Sequence, residues 1–201
     1  MKTPFNFKTA LISAGLLLGS MTVISGSVQA SSFGLNAAVS DETANFGAFT
    51  ETQTTDDSTR FALDYFYNDP KDRMYSASMD MKYKGLVGTP NLDLGVKGKA
   101  FGFKQKKDDL DGLGLVLGVT GRYWLDTQLP MSISAEALYA PKIVSTGDLN
   151  KASEFGVRGD VQLLPAVTAF VGYRYLQLNL DKRSNYNMDK NAHIGIEVKF
   201  D

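Results

Sequence analysis

His193 is the only imidazole in the chain, and with no Cys present it is the first candidate for general base catalysis. A hydrolase needs a nucleophile, a base and an orienting group within hydrogen-bond reach of one another. Glu197 shares a face with His193 if the segment is a strand, but four extended residues separate the two side chains by roughly 13 Å. Glu136 or Asp160 on another strand is the alternative partner. We therefore expect a non-enzymatic protein with no catalytic residue.

Metal and cofactor chemistry also has little support in the residue types. One His and no Cys exclude a multi-histidine or a Cys-based zinc cage. Asp108, Asp109 and Asp111 form an acidic segment, but the alternating acids and the closing Glu of an EF-hand are absent. A solvated acidic loop is the expected structure, and a weak divalent-cation site is the alternative. We expect no metal ion and no cofactor.

Acids and bases in the middle of apolar segments are the most informative ionisable residues. They alternate with aliphatic and aromatic neighbours, so in an extended chain they share the face opposite to the apolar one. An unpaired buried charge is costly, which drives such groups into ion pairs or into contact with water. The sequence therefore predicts a charged network that narrows the interior of the fold, formed by Glu136, Arg158, Asp160, Arg174 and Glu197.

Alternation with a period of two predicts the elements that must position these charges. Near the C-terminus, for example, Ile194, Ile196 and Val198 alternate with small or polar residues, and successive side chains of a strand point to opposite faces. The predicted strands are often longer than the roughly five or six residues of a globular strand, and their polar face is ionised in mid-strand. These features favour a membrane-spanning β-barrel with a wet lumen over a soluble β protein.

The predicted fold is all-β, a single antiparallel up-and-down transmembrane β-barrel of ten strands. Its weakest part is the hairpin formed by segments 33–40 and 43–50, without which the barrel has eight strands. Polar segments 104–112, 141–153 and 179–190 are predicted as the longest loops, all at one end. Aromatic residues on the apolar face indicate two membrane interfaces. They are Tyr65, Tyr67, Tyr75, Tyr139, Tyr173 and Tyr175 at one level, and Tyr83, Tyr123 and Phe200 at the other.

The first thirty residues have the zones of a secretory signal peptide. Lys2 and Lys8 precede an apolar stretch, 10–24, and the segment 27–30 offers small residues for cleavage after Ala30. The expected domains are therefore a signal peptide, residues 1–30, and an exported barrel, residues 31–201. An uncleaved membrane anchor is the alternative.

Several motifs resemble those of the YfaZ family of outer-membrane proteins. In chain order they are Tyr139-Ala140-Pro141, Gly147-Asp148-Leu149, Glu154-Phe155-Gly156-Val157-Arg158, Leu164-Pro165 and Val171-Gly172-Tyr173-Arg174. The resemblance covers most of the exported chain, is loosest near Asn45-Phe46-Gly47, and implies an outer-membrane barrel of Gram-negative bacteria with no catalytic residue. The alternating apolar residues that end at Phe200 also resemble a barrel-assembly signal, from which the final Asp201 departs.

These expectations define a non-enzymatic outer-membrane barrel, either a narrow porin-like pore for small solutes or a structural barrel with a charged lumen. The alternatives are an outer-membrane enzyme acting on lipid or peptide and a surface-binding barrel that uses its extracellular loops. The expected partners are the barrel-assembly machinery, outer-membrane lipid, and lipopolysaccharide, whose phosphates Lys104, Lys106 and Lys107 could contact. A net charge of −1 argues against nucleic acid. We expect a monomer.

Overall fold

The computed structural model describes residues 30–69, 72–85, 88–181 and 183–200, so the predicted signal peptide lies outside them except for Ala30. No helix in this part of the chain is long and apolar enough to cross a membrane. A short 3-10 helix spans Lys142–Val144. The strands are β1 (Ala30–Val39), β2 (Thr43–Gln53), β3 (Asp57–Asn68), β4 (Asp72–Tyr83), β5 (Leu92–Gln105), β6 (Leu110–Leu125), β7 (Met131–Ala140), β8 (Ser145–Gly147), β9 (Leu149–Leu164), β10 (Val167–Leu180) and β11 (Arg183–Phe200).

The strands form one closed antiparallel barrel. Each long strand pairs with its sequence neighbours, and β1 pairs with β11 to close the sheet. The short β8 pairs with β6 beyond the end of β7, so ten long strands form the wall. The prediction of a ten-stranded antiparallel barrel is confirmed. The eight-strand alternative is wrong, because β1 and β2 pair from Ala30 opposite Gln53 to Val39 opposite Ala44.

The strands are strongly tilted relative to the barrel axis. Starting at Ala38, paired residues lead through β2, β3, β4 and β5 to Gly112 on β6. In the other direction they lead through β11, β10, β9 and β7 to Trp124 on the same strand, an offset of twelve residues. With ten strands this shear corresponds to a tilt of about 40° and a backbone radius of ~10 Å. At this radius side chains can nearly fill the interior.

The outer face of the wall is apolar and exposed. Nine aliphatic side chains there are between 47% and 63% exposed: Leu35, Leu63, Val96, Leu117, Val119, Ile133, Val171, Ile194 and Ile196. A water-soluble protein does not expose a continuous apolar surface of this size, whereas a bilayer requires one. Aromatic rings border this surface, with Tyr65 and Tyr75 5.0 Å apart and Phe33 stacked on Phe200. The barrel therefore spans a membrane.

The two ends of the barrel differ in structure. We call the end that carries the β5–β6 and β7–β9 connections the loop end, and the end that carries Ala30 and Phe200 the terminal end. The prediction of a long loop over 179–190 is wrong, because β10 continues to Leu180 and β11 begins at Arg183. Segment 104–112 likewise belongs mostly to β5 and β6, and β9 begins at Leu149 within the predicted loop 141–153.

The apolar core lies inside the barrel toward the loop end. Its members include these buried side chains of the inner face: Phe66, Phe101, Phe103, Leu138, Leu149, Leu176, Leu178 and Met188. Hydrogen bonds between distant strands reinforce this core. Tyr186 donates its hydroxyl to Asp72, and the Asn68 side chain donates to the carbonyl oxygen of Met188 at 2.5 Å. These hydrogen bonds hold the part of β11 near the loop end against the adjoining ends of β3 and β4.

Candidate functional site

A polar cavity of about 230 Å³ lies inside the barrel, where its lining adjoins the apolar core at Met74 and extends to Ala38 and Thr43 at the ends of β1 and β2. Inward-facing residues of the strands line it, which follows from the alternation seen in the sequence. Two glycines of the inner face make room for charged or polar neighbours. A Cβ at Gly172 would lie 2.7 Å from Nε2 of His193, and a Cβ at Gly95 would lie 2.8 Å from Cγ of Lys82. Small residues on one strand thus accommodate long side chains from the next.

Glu197 is the centre of a three-strand ion-pair cluster. Arg60 donates two hydrogen bonds to its carboxylate, from Nη1 to Oε1 at 3.1 Å and from Nη2 to Oε2 at 2.8 Å. Arg158 approaches Oε2 of the same carboxylate at 3.5 Å. Arg158 also donates from Nε to Oδ1 of Asp160 at 2.6 Å. The bidentate geometry is the strongest form of an arginine–carboxylate pair, and here it ties β3 to β11 across the lumen.

Separate ion pairs occupy the rest of the lumen. Lys97 lies 2.7 Å from Oε2 of Glu136, and Arg174 donates from Nε to Asp189 at 2.6 Å. Three further pairs are Lys82–Asp80, Lys99–Glu154 and Lys199–Glu51. These pairs leave most lumen charges with a partner of opposite sign, as burial requires.

All five residues of the predicted network face the lumen, but the structure does not join them into one cluster. Arg158, Asp160 and Glu197 come together, whereas Glu136 and Arg174 have other partners. The sequence-based network also lacks Arg60, Lys97 and Asp189, which complete these pairs. The alternation of side chains along each strand places Arg60 and Lys97 on the inner face, so the sequence could have added both residues to the predicted network. Asp189 lies in the segment that was predicted to be a loop.

Aromatic rings hold three of the guanidinium groups in place. Arg60 lies 3.5 Å from the ring centre of Phe49, Arg158 lies 3.7 Å from that of Phe170, and Arg174 lies 4.6 Å from that of Phe66. A guanidinium group is attracted to the face of an aromatic ring while its edge still donates hydrogen bonds. Each arginine is therefore fixed both by a ring and by a carboxylate.

His193 lies on the lumen wall with its ring edge-on to Phe170, at a centroid distance of 6.1 Å. The two acids that the sequence offered as its partners are bound elsewhere, since Glu136 pairs with Lys97 and Asp160 with Arg158. Within the described residues, no three His, Asp or Glu side chains are grouped as metal ligands would be. The acidic segment near Asp109 is exposed, and this residue lies 3.5 Å from Lys104.

A closed barrel with an apolar outer wall and an ion-paired lumen defines an integral membrane β-barrel protein. The family model described as YfaZ precursor matches residues 9–200, and the chain belongs to this family. The resemblance predicted from the sequence motifs is thereby confirmed.

Two solved structures show limited similarity to the barrel. One is described as "Bacterial polysaccharide outer membrane secretin", with 10% identity and a TM-score of 0.44 over 79% of this chain and 56% of that one. The chain thus spans just over half the length of that structure. The other is the COG4313 outer membrane channel from Pseudomonas putida F1, with 7% identity and a TM-score of 0.38 over 90% of this chain and 98% of that one. A search of curated proteins found no match.

Proposed function

We propose that the protein is a non-enzymatic barrel of the bacterial outer membrane whose charged lumen is closed at the loop end. The observation that carries this proposal is the apolar core inside the barrel. Phe103 on β5 and Leu176 and Leu178 on β10 are each no more than 1% exposed, so two well-separated strands contribute to this core. An open porin keeps a polar, water-filled lumen along its whole length. Here the polar part of the lumen stops below a packed apolar layer.

The outer-membrane location is supported by the architecture together with the family. Closed antiparallel barrels with an even number of strands and an outward apolar band are typical of bacterial outer membranes. In such barrels both chain ends face the periplasm, so we assign the terminal end to the periplasm and the loop end to the outside. The exported barrel and the cleaved signal peptide, residues 1–30, belong to the same proposal.

The surroundings of His193 support a non-enzymatic role. A general base needs an orienting group and a nucleophile within reach. The ring of His193 instead packs against Phe170, and Glu136 and Asp160 are engaged by basic residues. We propose that His193 is a structural residue of the lumen wall.

The cavity is expected to communicate with the periplasm rather than with the outside. Near the terminal end, some inward-facing side chains remain partly accessible, with Trp124 38% exposed and the Lys199 side chain 30% exposed, whereas Glu51, Asp93 and Glu197 beside them are buried. No comparable apolar layer covers them among the described residues. The lumen is therefore best described as a chamber with one closed end.

Planar-bilayer recording of the purified barrel tests the closed state. The unmodified protein is expected to show no sustained conductance, because ions cannot cross a packed apolar layer. Leu178→Ala, which removes most of a fully buried side chain from this layer, is expected to introduce brief openings. Leu117→Ala is the matched control, since Leu117 faces lipid and is 60% exposed. Sustained conductance of the unmodified protein would contradict the proposal.

A further inference from the structure

Basic side chains dominate the wall of the chamber. Seven basic residues of the described part of the chain line it: Arg60, Lys82, Lys97, Lys99, Arg122, Arg158 and Arg174. Among the described residues that line the same cavity, four are acidic: Asp64, Asp80, Glu136 and Glu154. A chamber enclosed by a protein wall concentrates the field of the charges that face it. The surface that a ligand would meet is therefore positive, although the lumen as a whole is rich in ion pairs.

This imbalance arises because several acids lie behind the bases that they neutralise. The Arg60 side chain is 20% exposed while its partner Glu197 is 5% exposed. For Arg174 and Asp189 the values are 19% and 1%. Asp160 shows the same arrangement behind Arg158. The carboxylates orient the guanidinium groups from the barrel wall, and the guanidinium groups present their remaining surface to the cavity.

Arg122 differs from the other bases because none of the described residues forms an ion pair with it. Its Nε atom is buried and has no hydrogen-bond partner in the described part of the chain. The guanidinium group lies 5.4 Å from the ring centre of Trp124. The adjacent Asp93 accepts a hydrogen bond from Nε1 of Trp124 at 2.7 Å, and Glu51 is bound to Lys199. Arg122 as a whole is only partly buried, so its guanidinium group keeps donors that an anion in the cavity could accept.

We infer that the chamber binds a small oxyanion, with Arg122 as the principal donor. Ser134 lies directly opposite Arg122 in the sheet and also lines the cavity, as does Thr120, two residues away on the same face. Gly95 lies between Lys82 and Thr120, because it pairs with Lys82 on β4 and with Thr120 on β6. The Lys82 side chain passes over Gly95, which has no side chain to block it, toward Thr120. The Thr120 and Ser134 hydroxyls donate to Asp80 and to the carbonyl oxygen of Arg158, so the donors left for a ligand are the Arg122 guanidinium and the Lys82 ammonium. Both groups suit a phosphate or carboxylate.

The size and position of the cavity restrict the ligand. About 230 Å³ is less than the roughly 300 Å³ at which pockets for drug-sized ligands begin, so the site fits a single small anion with its water. The wall separates the chamber from lipid, and in the closed state proposed above, on which this step rests, the apolar core separates it from the outside. A soluble anion that enters from the periplasmic side is therefore the ligand, rather than a lipid headgroup.

Fluorescence of the refolded full-length protein in detergent tests this site, because Trp124 is the only tryptophan and lies beside Arg122. Inorganic phosphate is titrated against chloride at constant ionic strength. The unmodified protein is expected to show a saturable change in fluorescence and a higher unfolding temperature with phosphate. Arg122→Gln is expected to weaken binding by about tenfold or more, as loss of a charged hydrogen bond does.

Lys142→Gln is the matched control, since it makes the same charge change at an exposed residue of the loop end and should bind phosphate like the unmodified protein. Arg122→Lys keeps the charge and should retain saturable binding.

A response equal for phosphate and chloride, or no saturable response in the unmodified protein, overturns the inference even if Arg122→Gln does not fold. Phosphatidylglycerol in the micelles should not compete, and competition would overturn the assignment to a soluble anion. The closed state is tested separately by conductance.

Discussion

Replacement of Glu197 by Gln should destabilise the barrel more than any other single change of a lumen acid. Removing one partner of a buried ion pair costs about 3–5 kcal/mol, because the other charge is left without compensation. Glu197 compensates both Arg60 and Arg158, whose side chains keep 20% and 29% exposure to the lumen. Water in the chamber solvates part of the released charge, so we expect a loss of about 2–3 kcal/mol in the free energy of unfolding.

A double-mutant cycle separates this interaction from general damage to the fold. Arg60→Gln combined with Glu197→Gln should cost less than the sum of the single changes by about 1–2 kcal/mol, because each single change strands the other residue. The control cycle combines Glu197→Gln with Arg174→Gln. Arg174 pairs with Asp189 and is separated from Glu197 by roughly 20 Å along the neighbouring strand, so these effects should add.

Urea unfolding in detergent, followed by the gel shift between the compact and the heated barrel, measures both cycles. Additive effects for Arg60 and Glu197, or a loss below about 0.5 kcal/mol for Glu197→Gln, would refute the reasoning. Equal coupling in the control cycle would show that the effect is a general response to lost charge.

Two further changes test the orientation of the wall. Val171→Arg, which places a charge on the lipid face, should cost about 2–4 kcal/mol and reduce membrane insertion, whereas Val171→Leu should be nearly neutral in the same unfolding assay. Gly172→Ala should destabilise the barrel by about 1–3 kcal/mol, because the new Cβ meets both the His193 ring and the carbonyl oxygen of Val157. His193→Ala removes only the first of these contacts and should recover part of the loss. Equal costs for both Val171 changes, or no recovery by His193→Ala, would contradict these contacts.

The barrel was predictable from sequence because one physical rule governs most of its length. Where a wall separates lipid from a polar lumen, aliphatic and polar residues must alternate, as Ile194 and Ile196 do with His193 and Glu197. The closure of the sheet was less certain. The segment that became β1 has Gly34 and Asn36 on its inner face and carries a weak pattern, yet its pairing with β11 completes the barrel.

The loop over 179–190 was predicted wrongly because the polarity of the two faces of the wall reverses near the loop end. Above the bilayer the outer face meets water, and the inner face packs into the apolar core. Along β10, Leu176, Leu178 and Leu180 point inward while Gln177 and Asn179 point outward. A reading that expects apolar residues only on the lipid side interprets such a segment as a loop.

The site was predictable in its residue types but not in its partners. The alternation of side chains along the strands places Glu136, Arg158 and Glu197 on the inner face, and the structure agrees. Which acid meets which base depends on strand tilt and register, which no local pattern contains. Arg60 and Glu197 are 137 residues apart in sequence and meet across the lumen.

Thiol labelling on intact cells tests the closed loop end most directly. The chain has no Cys, so single-Cys variants report individual positions. Ser78→Cys introduces a thiol that lines the chamber, and Lys142→Cys introduces one on the exposed 3-10 helix of the loop end. With a maleimide too large to pass outer-membrane porins, Lys142→Cys should be labelled rapidly. Ser78→Cys should be labelled only after the barrel is unfolded. Labelling of Ser78→Cys on intact cells at the rate of Lys142→Cys would contradict the account of a lumen closed toward the outside.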